Sequence, residues 1–352
     1  NNNNLIVGGS GAGKTAMWLL ANIMQMNASY VINDPSGEIL AKTGTMLKNN
    51  GYKVKIFNIA DMKHSNSYNP LHYIRDDKGV SILIECLISN TKAEGEKSGE
   101  PYFENAEKLL YSALIFLLRD YCQDDTRKNF ATIADLVLQA DADEAKGMQY
   151  QSKLDLLFAE LPKNSLARKY YDAFKKPGGK TLKSVISSCI VRLRPFLTED
   201  VRNLTNVDEM EFEKIGDEKT ALFIVTPTAE NAFLASMLHT QIFETLYHLG
   251  EKREASGLPI ETKIPVRFML EEFANCGKIP YFLNKESTVR KYGIDISIIL
   301  QDMSQIKAMY DANAPAVIGN CSNTIYLGSN ESETLKWFSD LLGERLERTR
   351  TT

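Results

Sequence analysis

Gly8-Gly9-Ser10-Gly11-Ala12-Gly13-Lys14-Thr15 has the spacing G-x-x-x-x-G-K-[ST], that of a loop which grips the phosphates of a nucleotide. Its glycines permit sharp turns that aim successive N–H groups at phosphate oxygens, and the positive end of a following helix favours the anion. In that chemistry Lys14 reaches the β- and γ-phosphates and the Thr15 hydroxyl holds Mg²⁺. Leu5-Ile6-Val7 before the loop reads as a buried strand, and residues 16–26 behind it as an amphipathic helix. An ordinary glycine-rich turn would not require that order.

A phosphate loop works with an acid at the end of a neighbouring apolar strand. Val266-Arg267-Phe268-Met269-Leu270-Glu271-Glu272 supplies two. The expected roles are Glu271 over the metal through a water and Glu272 orienting the attacking water. The next strand, 294–300, ends at Gln301, placed to sense the γ-phosphate. Arg290 is a candidate arginine finger, acting on a neighbouring subunit's site, or else a solvated arginine at a helix end. The pair Asn284-Lys285 lacks the aspartate two positions past the lysine that would read guanine.

The chain of 352 residues has a formal net charge of -4, so its average charge does not indicate a nucleic-acid binder. Between residues 163 and 194, however, nine basic residues stand against one acid, Asp172. The candidates for contact with DNA or another substrate there are Lys175, Lys176, Lys180, Lys183, Arg192 and Arg194, with Lys163, Arg168 and Lys169 completing the run. Tyr170, Tyr171 and Phe174 interleave with these charges and could stack on bases, although their helical spacing also suits core packing. The alternatives are a solvated face or a protein-docking surface. Five scattered cysteines without a C-x-x-C pair suggest neither a disulfide framework nor a zinc site, and fit a reducing cytoplasm. The four histidines read as packing or surface residues. No apolar run reaches the roughly 18 residues needed to cross a bilayer.

These candidates need a scaffold. Strands are expected at 5–7, 29–33, 52–58, 220–226, 266–270, 294–300 and 323–327. Helices are expected at 37–47, 229–254, 278–291, 304–310 and 333–342. That alternation predicts an α/β fold with a mainly parallel sheet covered on both faces. From about 79 to 215 strand signals fade and amphipathic segments such as 103–121 and 166–174 take over, which predicts a helical insert. The expected domains are a nucleotide-binding motor over 1–78 and 216–352 and an all-α domain over 79–215.

Taken together, the chain resembles the type IV secretion coupling proteins, the TraG/VirD-type ATPases of conjugation, with the nearest likeness to those of Gram-positive elements. The resemblance covers nearly the whole chain. It rests on the 5–15 block, Tyr30-Val31-Ile32-Asn33-Asp34-Pro35-Ser36-Gly37-Glu38, Ser67-Tyr68-Asn69-Pro70, the Leu270–Pro280 block beginning Leu270-Glu271-Glu272-Phe273-Ala274-Asn275, Ile298-Ile299-Leu300-Gln301 and Ile318-Gly319-Asn320-Cys321. It implies a RecA-like P-loop NTPase fold with an inserted all-α domain, ATP and Mg²⁺ as ligands, and work as a membrane-anchored homo-hexamer at the cytoplasmic face of the bacterial inner or plasma membrane. Single-stranded DNA, relaxase and other relaxosome proteins, and the channel ATPases of the secretion system would be its partners. An anchor would precede residue 1, and the chain as it stands is expected to be soluble and monomeric. Two departures are visible. The family usually has Asp-Glu where Glu271-Glu272 stand, and Asp-Pro-Lys-Gly-Glu where Asp34-Pro35-Ser36-Gly37-Glu38 stand.

The expected function is ATP-driven translocation of single-stranded or relaxase-linked DNA. One alternative is a platform that binds nucleotide for shape alone and recruits relaxase or effector proteins. The other is a DNA pump of the FtsK or HerA type, disfavoured by the Glu-Glu-Phe-Ala-Asn block and the long insert.

Overall fold

A computed structural model of the chain describes residues 3–91, 101–141, 151–177, 179–227 and 231–344. Seven strands form one sheet: β1 (Asn4–Val7), β2 (Ser29–Asn33), β3 (Lys53–Asn58), β4 (Thr220–Val225), β5 (Val266–Leu270), β6 (Ile294–Leu300) and β7 (Asn323–Tyr326). Their order across the sheet is β3-β4-β2-β5-β6-β1-β7, and every pairing among them is parallel. Each expected strand is present, with ends moved by at most one residue.

Side chains of successive strand residues point to opposite faces, so the apolar strands feed two cores. Leu5, Val7, Val31, Phe268, Leu270, Ile296 and Ile298 enter the larger core. Ile6, Tyr30, Ile32, Phe223, Met269 and Ile299 enter the smaller one. Helix Glu38–Asn49 and the helical segment after the glycine loop close the smaller core through Ile39, Leu47, Leu19 and Ile23.

The larger core runs without interruption from the sheet through helix Ala232–Ala255 into the helical segment. The expected boundary at residue 79 falls inside helix Asp77–Asn90, which packs along Ala232–Ala255. Ser67–Pro70 stitches the two parts together. The Tyr68 hydroxyl donates to Gln241 Oε1 at 2.5 Å, Gln241 Nε2 donates to the Pro70 carbonyl at 2.7 Å, and Asn69 Nδ2 donates to the Lys128 carbonyl at 2.8 Å. A buried tyrosine and two amides inside an apolar contact must find partners, which fixes the packing register.

Two helices differ from expectation. Of residues 278–291, the helix begins only at Phe282, because Pro280 lacks the N–H that a longer helix would use, and after Thr288 it passes into a 3₁₀ turn, Val289–Tyr292. The segment after the glycine loop begins as a π-helix over Lys14–Leu20 and ends with a short α-turn, Ala21–Ile23, instead of running as an α-helix to residue 26. Among the described residues no helix is long and apolar enough to cross a membrane.

Among the described residues of the helical segment, Arg192 and Glu107 form a buried ion pair. Arg192 Nε donates to Glu107 Oε2 at 2.7 Å, the two residues are 7% and 2% exposed, and Ser188 donates to the other carboxylate oxygen. Breaking such a pair leaves a buried charge uncompensated, so Glu107→Ala is expected to lower the free energy of unfolding by about 3–5 kcal/mol. Urea denaturation measures it. The double change Glu107→Leu, Arg192→Met should recover most of the loss, because it removes both charges.

At the amino end of β1, Glu286 is fully buried, and one of its carboxylate oxygens has no partner in the structure. Burial pushes its carboxyl up to about 8, against smaller lowering contributions from the Cys321 thiol and the Asn320 side chain. A carboxyl raised in the folded state favours the protonated fold. Its contribution is harmless below about 4.5 and costs increasing stability as pH rises towards 8. Between pH 5 and pH 8 the stability of Glu286→Gln should therefore gain on the parent by a few kcal/mol, as read from denaturation midpoints at the two pH values.

Candidate nucleotide-binding site

In a parallel sheet the carboxyl ends of all strands lie along one edge, where ligands of open α/β sheets bind. Val7 of β1 is level with Leu300 of β6, and Leu270 of β5 is level with both Asn33 of β2 and Ile298 of β6. The residues that follow these positions therefore meet: the glycine loop, Gln301, the pair Glu271-Glu272, and Asp34. All but Asp34 line a cleft of about 520 Å³, formed by Ser10, Gly11, Gly13, Lys14, Thr15, Glu271, Glu272 and Gln301 together with residues 16, 35, 36, 38 and 227.

The loop is held from behind. The Gly8 N–H donates to the Leu300 carbonyl at 3.1 Å, that of Gly9 to the Gly328 carbonyl at 2.8 Å, and that of Ala12 to the Gly9 carbonyl at 3.2 Å. Those three amides face the protein, so the cleft-facing part of the loop is Ser10, Gly11 and Gly13 to Thr15. Gly11 and Gly13 have φ of 75° and 87°, the left-handed region where a side chain would strain the turn. A Cβ at Gly8 would come within 3.1 Å of those of Ala12 and Leu327, so the loop packs directly on the segment after β7.

Lys14 is 9% exposed, and its ammonium donates to the carbonyls of Gly8 at 2.5 Å and Gly9 at 3.0 Å. Burial lowers its pKa, and the nearby charges of Glu271 and Glu272 oppose that shift. The Thr15 hydroxyl donates to Glu271 Oε1. Glu271 is itself 9% exposed, and its carboxyl is raised by burial first, with Asp34, Glu272 and Glu38 adding repulsion and Thr15 opposing. Glu271 thus carries the repulsion of three other carboxylates while its own oxygen holds the Thr15 hydroxyl, a field that a divalent cation would relieve.

Glu272 stands beside this pair. Its Oε1 accepts from Gln301 Nε2 at 3.2 Å and its Oε2 from Asn275 Nδ2 at 2.9 Å. Its φ of 47° puts a non-glycine residue in the left-handed region, where strain marks a constrained turn.

The structure adds residues that sequence reasoning did not single out. Asn33 is fully buried and donates through Nδ2 to the Glu271 carbonyl at 2.6 Å, fixing the turn out of β5. Asp34 accepts from the Leu40 N–H at 2.8 Å and anchors the start of helix Glu38–Asn49. Burial raises its carboxyl, and its other oxygen has no partner in the structure. The polar pair Asn33-Asp34 at the end of an apolar strand was the available signal.

Other candidates lie elsewhere. Arg290 is exposed in the turn that precedes the amino end of β6, so it sits at the opposite end of that strand from Gln301 and does not line its own chain's cleft. Arg192 is corrected: it is buried against Glu107 and cannot touch DNA on this surface. Lys175 pairs with Asp155 at 2.9 Å, and Arg168 pairs with Asp172. Lys176, Lys180, Lys183 and Arg194 are exposed, as are Lys163 and Lys169. Base stacking is also corrected for two of the three interleaved aromatics, which take the core packing that their spacing allowed. Tyr171 and Phe174 are core residues, Tyr171 lying flat on Phe158 at 4.0 Å between ring centroids, and Tyr170 stacks on Phe116 at 5.5 Å. Lys285 is buried against Glu244, away from the cleft.

Fold and site together define a RecA-like α/β fold of the P-loop NTPase class, extended by a helical segment. The family model described as type IV secretory system conjugative DNA transfer matches residues 2–352, and the chain belongs to that family. It is 21% identical over 357 residues to the protein VirD4 of Rhizobium radiobacter, covering 99% of this chain and 49% of that protein. It is 24% identical over 344 residues to the conjugal transfer protein TraG of Escherichia coli, covering 94% and 53%. The chain therefore spans about half the length of the curated relatives it matches. Among solved structures it is similar to the plasmid coupling protein TrwB in complex with ADP and Mg²⁺, with a TM-score of 0.67, 18% identity, and coverage of 97% of this chain and 73% of that one. It is similar also to TrwB in complex with the non-hydrolysable ATP analogue ADPNP, with a TM-score of 0.65, 18% identity, and coverage of 94% and 71%. VirB4 of Thermoanaerobacter pseudethanolicus shares the fold at a TM-score of 0.57 and 15% identity, over 97% of this chain and 80% of that one.

Proposed function

We propose that this chain is the ATP-hydrolysing motor part of a coupling protein for conjugative transfer, which uses hydrolysis to move single-stranded or relaxase-linked DNA. The observation that carries this reading is the hydrogen bond from the Thr15 hydroxyl to Glu271, with Glu272 and Gln301 beside it. A loop hydroxyl, an acid for the metal shell and a second acid for water thus share one cleft with Lys14.

In the proposed mechanism the N–H groups of Gly11, Gly13 and Lys14 and the Ser10 hydroxyl face the phosphate chain, and the Lys14 ammonium turns from the loop carbonyls to the β- and γ-oxygens. Thr15 and Glu271 would hold Mg²⁺, which when bound neutralises charge on the β- and γ-phosphates. Glu271 is one methylene longer than the family's aspartate, and it reaches Thr15 directly. Glu272 accepts a proton from the attacking water, oriented by the amides of Gln301 and Asn275. Gln301 would report the presence of the γ-phosphate. Arg290, exposed and outside its own cleft, would serve a neighbouring subunit's site in a homo-hexamer at the membrane, whereas the chain alone would be monomeric. The exposed residues Lys176, Lys180, Lys183 and Arg194 would face DNA phosphates or relaxase, and the assembled protein would meet the secretion channel's ATPases at the cytoplasmic face of the bacterial inner membrane.

Steady-state phosphate release from Mg·ATP, with and without a single-stranded oligothymidylate, tests this reading. Release that rises with the oligonucleotide supports a motor. Tight nucleotide binding with no release in either condition would instead establish the docking platform.

A further inference from the structure

The turn that carries Glu272 is anchored at its far end by the helical segment. After Glu272 the chain makes a 3₁₀ turn, Phe273–Cys276, whose Asn275 donates its side-chain amide to Glu272 Oε2 at 2.9 Å and its backbone N–H to the Glu272 carbonyl at 2.7 Å. Gly277 follows with φ of 70°, so close to its neighbours that an added Cβ would lie 2.7 Å from Asn90 Oδ1. Asn90 then grips the next residue on both sides: Lys278 N–H donates to Asn90 Oδ1 at 2.6 Å, and Asn90 Nδ2 donates to the Lys278 carbonyl at 2.9 Å. Ser236 of helix Ala232–Ala255 donates to that same carbonyl at 2.7 Å.

Asn90 is the last residue of helix Asp77–Asn90. That helix end is held in turn by Arg192, which donates to the Ile88 carbonyl at 3.4 Å and to Thr91 Oγ1 at 3.2 Å while paired with Glu107. Arg192 lies on helix Gly179–Leu193, whose outer side carries the exposed Lys180 and Lys183. Polar contacts alternating with short stretches of backbone therefore join Arg192, on the helix that carries the exposed lysines, to the Glu272 carboxylate. The segment between Glu272 and Lys278 is short, has positive φ at both Glu272 and Gly277, and is hydrogen-bonded at each end, which gives a shift of Asn90 a short route to the Asn275 amide.

We propose that Asn275 and Asn90 are positioning residues: Asn275 sets the orientation of the Glu272 carboxylate, and Asn90 makes that orientation respond to what binds the helical segment. This rests on the hydrolysis reading above. A carboxylate with one amide donor on each oxygen keeps a lone pair directed at water and cannot rotate freely, whereas loss of the Asn275 donor frees it.

The test compares the parent chain, Asn275→Ala, Asn275→Gln and Asn90→Ala for kcat of phosphate release, Kd for a fluorescent ATP analogue with Mg²⁺, and the ratio of rates with and without oligothymidylate. Asn275→Ala should lose about tenfold in kcat at unchanged analogue Kd, with part of the rate restored in Asn275→Gln, whose amide can still reach the carboxylate. Asn90→Ala should bind the oligonucleotide as the parent does, yet its rate ratio should fall to one. Asn275→Ala within twofold of the parent kcat overturns the first role, and a parent-like ratio in Asn90→Ala overturns the second. A parent chain that binds nucleotide and releases no phosphate removes the hydrolysis reading and this inference with it, an outcome distinct from the other two.

Discussion

Lys14→Ala is expected to weaken binding of a fluorescent ATP analogue a hundredfold or more, with the fold retained. The ammonium is almost fully enclosed by the loop and lies at its mouth, 2.5 Å and 3.0 Å from the carbonyls of Gly8 and Gly9. Phosphate oxygens would replace those carbonyls with charge-assisted hydrogen bonds of roughly 1.5–3 kcal/mol each. Losing two of them costs about 3 kcal/mol or more, which is a factor of a hundred or more in Kd. The loop itself survives, because its shape rests on the Gly8, Gly9 and Ala12 amides and on glycine φ values. A Kd unchanged in this variant, with near-ultraviolet dichroism also unchanged, would remove the loop from nucleotide binding.

Glu272→Gln should separate binding from hydrolysis. The amide matches the carboxylate in size but cannot accept a proton from water, so kcat for phosphate release should fall by roughly a hundred- to ten-thousandfold while the analogue Kd stays within a few-fold of the parent. Glu271→Gln should behave differently. Its carboxylate is the acceptor for Thr15 and the nearer acid to the proposed metal position, so the loss should appear in the Mg²⁺ dependence of nucleotide binding. Single-turnover phosphate release and Mg²⁺ titrations distinguish the two acids. Equal effects of the two changes on both readouts would contradict the division of labour between them.

The sheet was legible because its strands are short apolar runs bounded by polar turns, and a parallel sheet then brings their carboxyl ends together without further information. That is why the glycine loop, Glu271, Glu272 and Gln301 could be read towards one cleft from strands more than 250 residues apart. The fate of the basic run could not be read in this way. Arg192 differs from Lys180 and Lys183 only in its partner, Glu107, which stands 85 positions away on another helix. Tyr171 and Phe174 fell to the core because Phe158 and the neighbouring helix Pro101–Tyr121 cover them. Asn90 was hidden, since a lone asparagine gives no periodic signal, while Asn33 and Asn275 stood in the blocks that carry the family resemblance without a legible role, because that role depends on the groups each meets in the fold. The helix expected over 278–291 begins only at Phe282, after Pro280, and Asn90 packs tightly on the turn at Gly277 that precedes it.

The account stands on one triphosphate lying between the loop and the acids of β5. Crystals grown with ADPNP and Mn²⁺ and measured at the manganese absorption edge test it directly. The predicted result is one anomalous peak per chain, about 2.2 Å from Thr15 Oγ1 and on the side facing Glu271. A peak away from Thr15, or analogue bound outside the cleft with Lys14 still on the Gly8 and Gly9 carbonyls, would contradict it.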